Sequence, residues 1–296
     1  MNTSTEYMAT ELASQPETWA RAEALRTEQE LVPGTGQKVA IVGCGTSWFM
    51  AQAYATLRES SGQGVTDAFA ASEAFVNRDY DAIIALTRSG TTTEVLELVR
   101  ANRGKTRIVG IVGDTASPFV DEVDDLIALP FADEKSVVQT RFATTALAFL
   151  RASLGEDLTG AIADAALAVA DDLDADLVNA EQYTFLGRGW SVGLAHEAAL
   201  KMREASQSWT ESYPAMEYRH GPISIAAPGR VTWMFGQPPA GIENDVAATG
   251  ARFVSSELDA LAELVRAQKL ALLRARAKGL NPDVPRNLTR SVILNP

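Results

Sequence analysis

The chain has 296 residues, of which 46% are hydrophobic and 22% charged, with a formal net charge of −12. Those proportions suit a soluble globular protein with room for one large or two medium domains. The acidic balance argues against nucleic-acid binding, which calls for a basic face, so a phosphorylated ligand would need a local positive site of backbone N–H groups and a few Lys or Arg. Cys44 is the only cysteine, which forbids an intrachain disulfide. One Cys and two His also argue against a Cys/His zinc site. The first residues lack the basic and apolar regions of a signal peptide, and no apolar run approaches membrane-spanning length, so a soluble cytoplasmic protein is expected.

Residues 1–32 read as a polar start followed by helix, with Pro16 in a first-turn position and Pro33-Gly34-Thr35-Gly36 as the stop. A first α/β region is expected over 33–155. It opens with a short β-branched strand, Lys38–Val42, and the glycine turn Gly43-Cys44-Gly45-Thr46-Ser47, which leads into an amphipathic helix ending near Ser61-Gly62. Strands are expected at Asp81–Leu86 and Arg107–Val112, with a short segment before them, a helix to about Asn102, a fourth segment at Asp125–Pro130 and a helical run at Val137–Leu154. An acidic, alanine-rich stretch over 156–180 reads as one connecting helix. A second α/β region follows over 181–280, with strands Arg230–Phe235 and Arg252–Ser255, a helix at Glu243–Thr249 between them and the helix Glu257–Lys278. Residues 281–296 are too proline-rich to stay helical and are expected to run back over the surface or into a site. Strands alternating with helices imply parallel sheets covered on both faces. A shift of 144 residues lays Gly43 on Gly187, Gly45 on Gly189, Ser47 on Ser191, Ala51 on Ala195 and Ala55 on Ala199, which fits two similar lobes.

Two turns are crowded with hydroxyls: Thr46 and Ser47 in one, Thr87, Ser89, Thr91 and Thr92 in the other. At a helix start such residues either cap the helix or add O–H donors to the N–H groups that hold a phosphate. Two dense clusters at the carboxyl ends of neighbouring strands, where open α/β sheets bind ligands, favour a phosphate site. Neither turn is a Walker loop, and no dinucleotide fingerprint is present.

The stretch from Tyr183 to Pro222 concentrates the remaining chemistry. A short apolar run ends in Gly187-Arg188-Gly189, a helical run follows, and a polar loop carries His220. On the helix Glu197, Lys201 and Glu204 share one face, beside an apolar stripe of Leu194, Ala198, Met202 and Ala205. The ordinary reading of that charged face is a solvated set of ion pairs. His196 reads as a structural histidine. His220 stands before Gly221-Pro222 and is open to either a structural or a proton-transfer role.

These motifs resemble the sugar isomerase (SIS) domain family. The likeness rests on the Gly43–Ser47 turn, the Thr87–Thr92 turn and the block from Glu197 to Pro222, and it runs from about residue 8 to the tail with its Pro285–Val292 segment. It implies two α/β lobes, each a five-stranded parallel sheet flanked by helices in three layers, and a homodimer with sites at the interface. It implies a small sugar phosphate as the partner, with no nucleic acid, membrane, cofactor or metal. Cys44, Gly45, Thr46 and Ser47 would border the sugar, Thr87, Arg88, Ser89 and Thr92 would hold the phosphate, and Val137 and Gln139 with their neighbours would line the sugar. Glu204 would move a proton between C1 and C2, with Lys201 beside it. His220 would open the ring, donated by the other subunit.

The chain departs from the family pattern twice. Arg88 adds a cation beside the phosphate turn. Arg290 stands where the family's synthase has a lysine, and an arginine stays protonated and forms no Schiff base. A phosphosugar isomerase acting on a hexose or hexosamine 6-phosphate is therefore expected, with deamination as a variant of the same proton shift and without glutaminase activity. The alternative is a non-catalytic SIS module that binds sugar phosphates and regulates a partner.

Overall fold

A computed structural model of the chain describes residues 6–294. The first helices are α1 (Tyr7–Ala13), α2 (Gln15–Glu23) and α3 (Arg26–Gln29), and Pro16 stands in the first turn of α2. The alternating part begins with β1 (Val39–Gly43), α4 (Thr46–Ser60), β2 (Thr66–Ala70), β3 (Ala82–Thr87), α5 (Thr93–Asn102), β4 (Arg107–Val112), β5 (Asp125–Ala128) and α6 (Arg141–Ser153). Then come α7 (Thr159–Ala170), α8 (Ala175–Asn179), β6 (Gln182–Gly187), α9 (Ser191–Ser206), β7 (Thr210–Pro214), β8 (Arg230–Phe235), α10 (Ile242–Ala248), β9 (Arg252–Val254) and α11 (Ala260–Ala277).

The chain groups into two compact units. The first unit takes Glu17–Lys135, Arg141–Thr159 and the tail from Thr289, and holds a five-stranded parallel sheet in the order β2-β1-β3-β4-β5. Its inner strands β1 and β3 are buried at every position, as expected where helices cover both faces. The edge strands β2 and β5 are only partly buried. From β1 the chain goes outward to β2, then crosses to β3 on the other side, so the carboxyl ends of β1 and β3 flank a topological switch point. Both hydroxyl-rich turns leave the sheet there.

The second unit takes the described part of Met1–Pro16, Ser136–Thr140 and Gly160–Leu288. Its sheet, in the order β7-β6-β8-β9, repeats the switch between β6 and β8. The repeated motif has the same construction in both units. Gly45 and Gly189 have φ of 53° and 57°, a left-handed region that glycine enters without cost. A side chain on Gly43 would meet Ser47 Cβ at 2.7 Å, and one on Gly187 would meet the Ser191 carbonyl oxygen at 2.3 Å. The strand can therefore turn into its helix at this distance only through glycine.

Three expectations are corrected. The second sheet has four strands among the described residues, not five, because β9 runs directly into α11 where the first unit continues from β4 to β5. The polar stretch after Ser206 contains a strand, β7, whose half-exposed residues suit a sheet edge. The 156–180 segment is two helices rather than one. Asp174 accepts the Leu177 N–H as the N-cap of α8, and Lys269 takes the Val169 carbonyl at 2.8 Å, so the acidic run between them starts one helix and ends the other.

If close approach is what fixes Gly187, Gly187→Ala should lower the unfolding free energy by about 1–3 kcal/mol, the usual cost of overpacking. Urea unfolding would show it as a lower midpoint, and an unchanged midpoint would contradict the packing described.

Candidate active site

In the first unit Thr46 and Ser47 are buried at the start of α4, and the Ser47 N–H donates to the Cys44 carbonyl at 3.1 Å. Across the switch point Thr87, Arg88 and Ser89 are buried as well. Two of their hydroxyls support their own turn: Thr87 Oγ1 accepts the Gly90 N–H at 3.2 Å and Ser89 Oγ accepts the Thr91 N–H at 3.3 Å. Thr92 occupies the N-cap position of α5 without a side-chain cap bond, which leaves its hydroxyl outside that role. The thiol of Cys44 is half-buried and pushed up to about 11, first by burial and then by Glu94, so it stays protonated near neutrality.

The tail crosses this second turn. Arg88 donates to the Arg290 carbonyl at 2.5 Å, Thr91 Oγ1 and Ser291 Oγ lie 2.8 Å apart, and the Thr93 N–H donates to the Val292 carbonyl at 3.1 Å. Arg290 itself is turned into a carboxylate pair. Its Nη2 lies 2.7 and 2.9 Å from the two Asp133 oxygens and 3.7 Å from Asp114, and its Nη1 donates to the Glu134 carbonyl. In this arrangement the side chain fastens the tail, and its backbone carbonyl receives Arg88.

In the second unit α9 is buried on more than one side, against β6, β7 and α11. Leu194, Ala198, Met202 and Ala205 are buried as the stripe requires. The charged face is buried too: the side chains of Glu197, Lys201 and Glu204 are 0%, 1% and 19% exposed. Lys201 Nζ lies 3.4 Å from a Glu197 oxygen and forms a hydrogen-bonded ion pair with Glu204. The solvated reading of this face is therefore wrong. The spacing was that of surface ion pairs, and tertiary packing enclosed it. Removing one member of such a group leaves a charge uncompensated in the interior, which is far more costly than losing a surface pair.

Glu204 is the least buried of the three and lines a cleft of about 400 Å³ with Leu200, Arg203, Gln207, Arg286, Asn287 and Leu288. Sequence reasoning missed Arg203, Arg286 and Asn287. The usable signal was the Pro-Arg-Asn sequence at 285–287, since proline restricts the chain just before two polar residues.

Three other expected site residues of this unit, His220, Val137 and Gln139, are not among those lining the cleft. His220 is exposed at the end of a short 3₁₀ turn, Glu217–His220, and does not line it. The turn is anchored by its neighbours: Tyr218 is buried with its hydroxyl 3.1 Å from Thr232 Oγ1, and Arg219 pairs with Asp245 at 2.6 Å. Val137 and Gln139 belong to the second unit, where the Val137 N–H donates to the Asp283 carbonyl at 3.1 Å. Gln139 Oε1 is buried without a hydrogen-bond partner among the described residues. His196 has Nδ1 2.8 Å from Ser212 Oγ and is held below the usual imidazole range by burial and by Arg203. Among the described residues no group of three or more His, Cys, Asp or Glu is arranged to hold a metal, and no helix is long and apolar enough to cross a membrane.

No protein-family model matches the sequence. Among solved structures, glucosamine-6-phosphate deaminase from Thermotoga maritima aligns with a TM-score of 0.82 at 23% identity, covering 97% of this chain and 99% of that one. The C-terminal domain of glucosamine-fructose-6-phosphate aminotransferase from Francisella tularensis aligns with a TM-score of 0.79 at 22% identity, covering 96% and 99%. The chain has the sugar isomerase (SIS) fold. In sequence it is 29% identical over 293 residues to the isomerizing glutamine–fructose-6-phosphate aminotransferase of Sulfolobus acidocaldarius, covering 86% of this chain and 50% of the relative. The chain thus spans about half the length of the curated relatives it matches. The resemblance to the sugar isomerase (SIS) domain family is borne out.

Lys201→Met should destabilise the protein by about 3–5 kcal/mol, because it removes the buried cation that pairs with both Glu197 and Glu204. The double variant Glu197→Gln/Lys201→Met should recover much of the loss in chemical denaturation. A single variant as stable as wild type would show that the triad is not enclosed in solution.

Proposed function

We propose that the chain is a sugar-phosphate isomerase acting on a hexose or hexosamine 6-phosphate. The observation that carries this reading is the placement of Glu204, a carboxylate fixed by a buried lysine on one side and facing a cleft on the other. A base that moves a proton between adjacent carbons needs this combination of fixed geometry and access to the substrate. The similar proteins, a glucosamine-6-phosphate deaminase and an isomerizing glutamine–fructose-6-phosphate aminotransferase, support the substrate class.

In this reading the hydroxyl-rich turns take the phosphate through backbone N–H and side-chain O–H donors. His220 assists ring opening. Glu204 removes the C2 proton of the open-chain aldose and delivers it to C1, giving the ketose. With a 2-amino sugar the same shift yields an imine at C2, and hydrolysis of that imine releases ammonia. Arg290 offers no amine nucleophile, so the proposed route runs without a Schiff base to the protein.

We also propose a homodimer in which each site receives the partner's His220, since the exposed histidine does not line the Glu204 cleft of its own chain. Glu204→Gln keeps the shape and hydrogen bonding of the side chain and removes the base. Calorimetry should find sugar-phosphate binding retained, while turnover falls by about 10²–10⁴-fold or more. Mixing this variant with inactive His220→Ala should restore part of the activity through subunit exchange. A Glu204→Gln protein with wild-type turnover would sink the isomerase assignment of that residue, and no recovery despite proven exchange would sink the shared site.

A further inference from the structure

Taking a proton from the carbon next to a carbonyl pushes an electron pair onto the carbonyl oxygen. The base alone does not make that step easy; a donor or cation must meet the new charge. The cleft on Glu204 contains the means to do so.

Three cations stand near this carboxylate. Lys201 is sealed between Glu197 and Glu204 and does not line the cleft. Arg203 lines it, but its Nη1 is directed to the carbonyl and hydroxyl of Thr210 at 3.4 and 3.3 Å. Arg286 lines it, is exposed, and has no carboxylate paired with it among the described residues. The contrast with the other arginine of the same tail is direct, since Arg290 is locked onto Asp133.

The tail turns at Arg286. Pro285 is buried, and Asn287 has φ of 64°. Gln207, at the end of α9 and on the same cleft, has φ of 50°. These two are the only non-glycine residues with positive φ among the described residues, and both line the cleft that holds Glu204.

We propose that Arg286 is a catalytic residue which holds the oxygens of the enediolate, a role that rests on the isomerase reading of Glu204. The C2–H bond breaks and its proton goes to the Glu204 carboxylate. The electron pair forms the C1–C2 double bond and moves the carbonyl pair onto O1, where the guanidinium donates its N–H groups. The O2 proton passes to O1, Glu204 returns its proton to C1, and C2 becomes the carbonyl. The planar fork of arginine suits two oxygens on adjacent carbons better than an ammonium does.

The test is steady-state kinetics of Arg286→Met and Arg286→Lys on fructose 6-phosphate and glucosamine 6-phosphate, with thermal melting as the folding control. Arg286→Met should lose about 10²–10³-fold in kcat with KM changed only a few-fold, the size typical of removing one oxyanion donor. Millimolar guanidinium should restore part of that rate, while urea, of similar shape and neutral, should not. Arg286→Lys covers the case in which the methionine variant fails to fold, and it should fall between wild type and Arg286→Met. Wild-type kcat in folded Arg286→Met, or a loss confined to KM and unmoved by guanidinium, overturns this role and leaves the isomerase reading standing. If the wild-type protein turns over neither sugar phosphate, both fall together.

Discussion

Lys201 is enclosed between two carboxylates of its own helix, one turn away on either side, and the arrangement fixes how α9 must lie. Burying Glu197 without its cation is costly, so the rotation of α9 about its axis is set by charge as well as by its apolar stripe. The same rotation leaves Glu204 at the edge of the buried zone, where it reaches the cleft. Packing and chemistry therefore share one constraint. The lysine that satisfies the interior also orients the carboxylate proposed to move the proton.

The helix reaches that position because the strand before it ends in glycine. Gly187 lets the Ser191 backbone approach closer than any side chain would permit, and Gly189 turns the chain through a left-handed conformation. Gly43 and Gly45 do the same for α4. Each unit has its glycine turn at a switch point of its parallel sheet, where strand order leaves a crevice for a ligand. In the first unit the product is a pair of hydroxyl-rich turns, with the tail fastened across one of them by Arg88, Thr91 and Arg290. In the second it is the charged helix.

Much of this architecture was legible in the sequence. Strands Arg107–Val112 and Arg230–Phe235 are apolar runs long enough to be fully buried, and they were read to the residue. Strand β7 was not, because Thr-Glu-Ser-Tyr-Pro carries no alternation strong enough to separate an edge strand from a loop. The break between α7 and α8 was hidden by Ala, Leu and Val on either side, although Asp174 is an ordinary cap. The Glu197–Lys201–Glu204 spacing was visible, yet its burial was not, since the same pattern describes a solvated helix face. Arg286 is distant in sequence from Glu204, and only the fold brings the two to one cleft.

Proton transfer by Glu204 is the proposed central step, and hydrogen exchange at the reacting carbons measures it most directly. Wild-type protein is incubated in D₂O with hexose 6-phosphates, and proton NMR follows the C2 position of the aldose and the C1 position of the ketose. Deuterium should enter these positions during isomerisation, because a carboxylate that has accepted the proton shares it with solvent before returning it. Tight binding of a sugar phosphate with neither exchange nor transfer of the C2 hydrogen would contradict the account, and would describe instead a protein that senses the sugar without changing it.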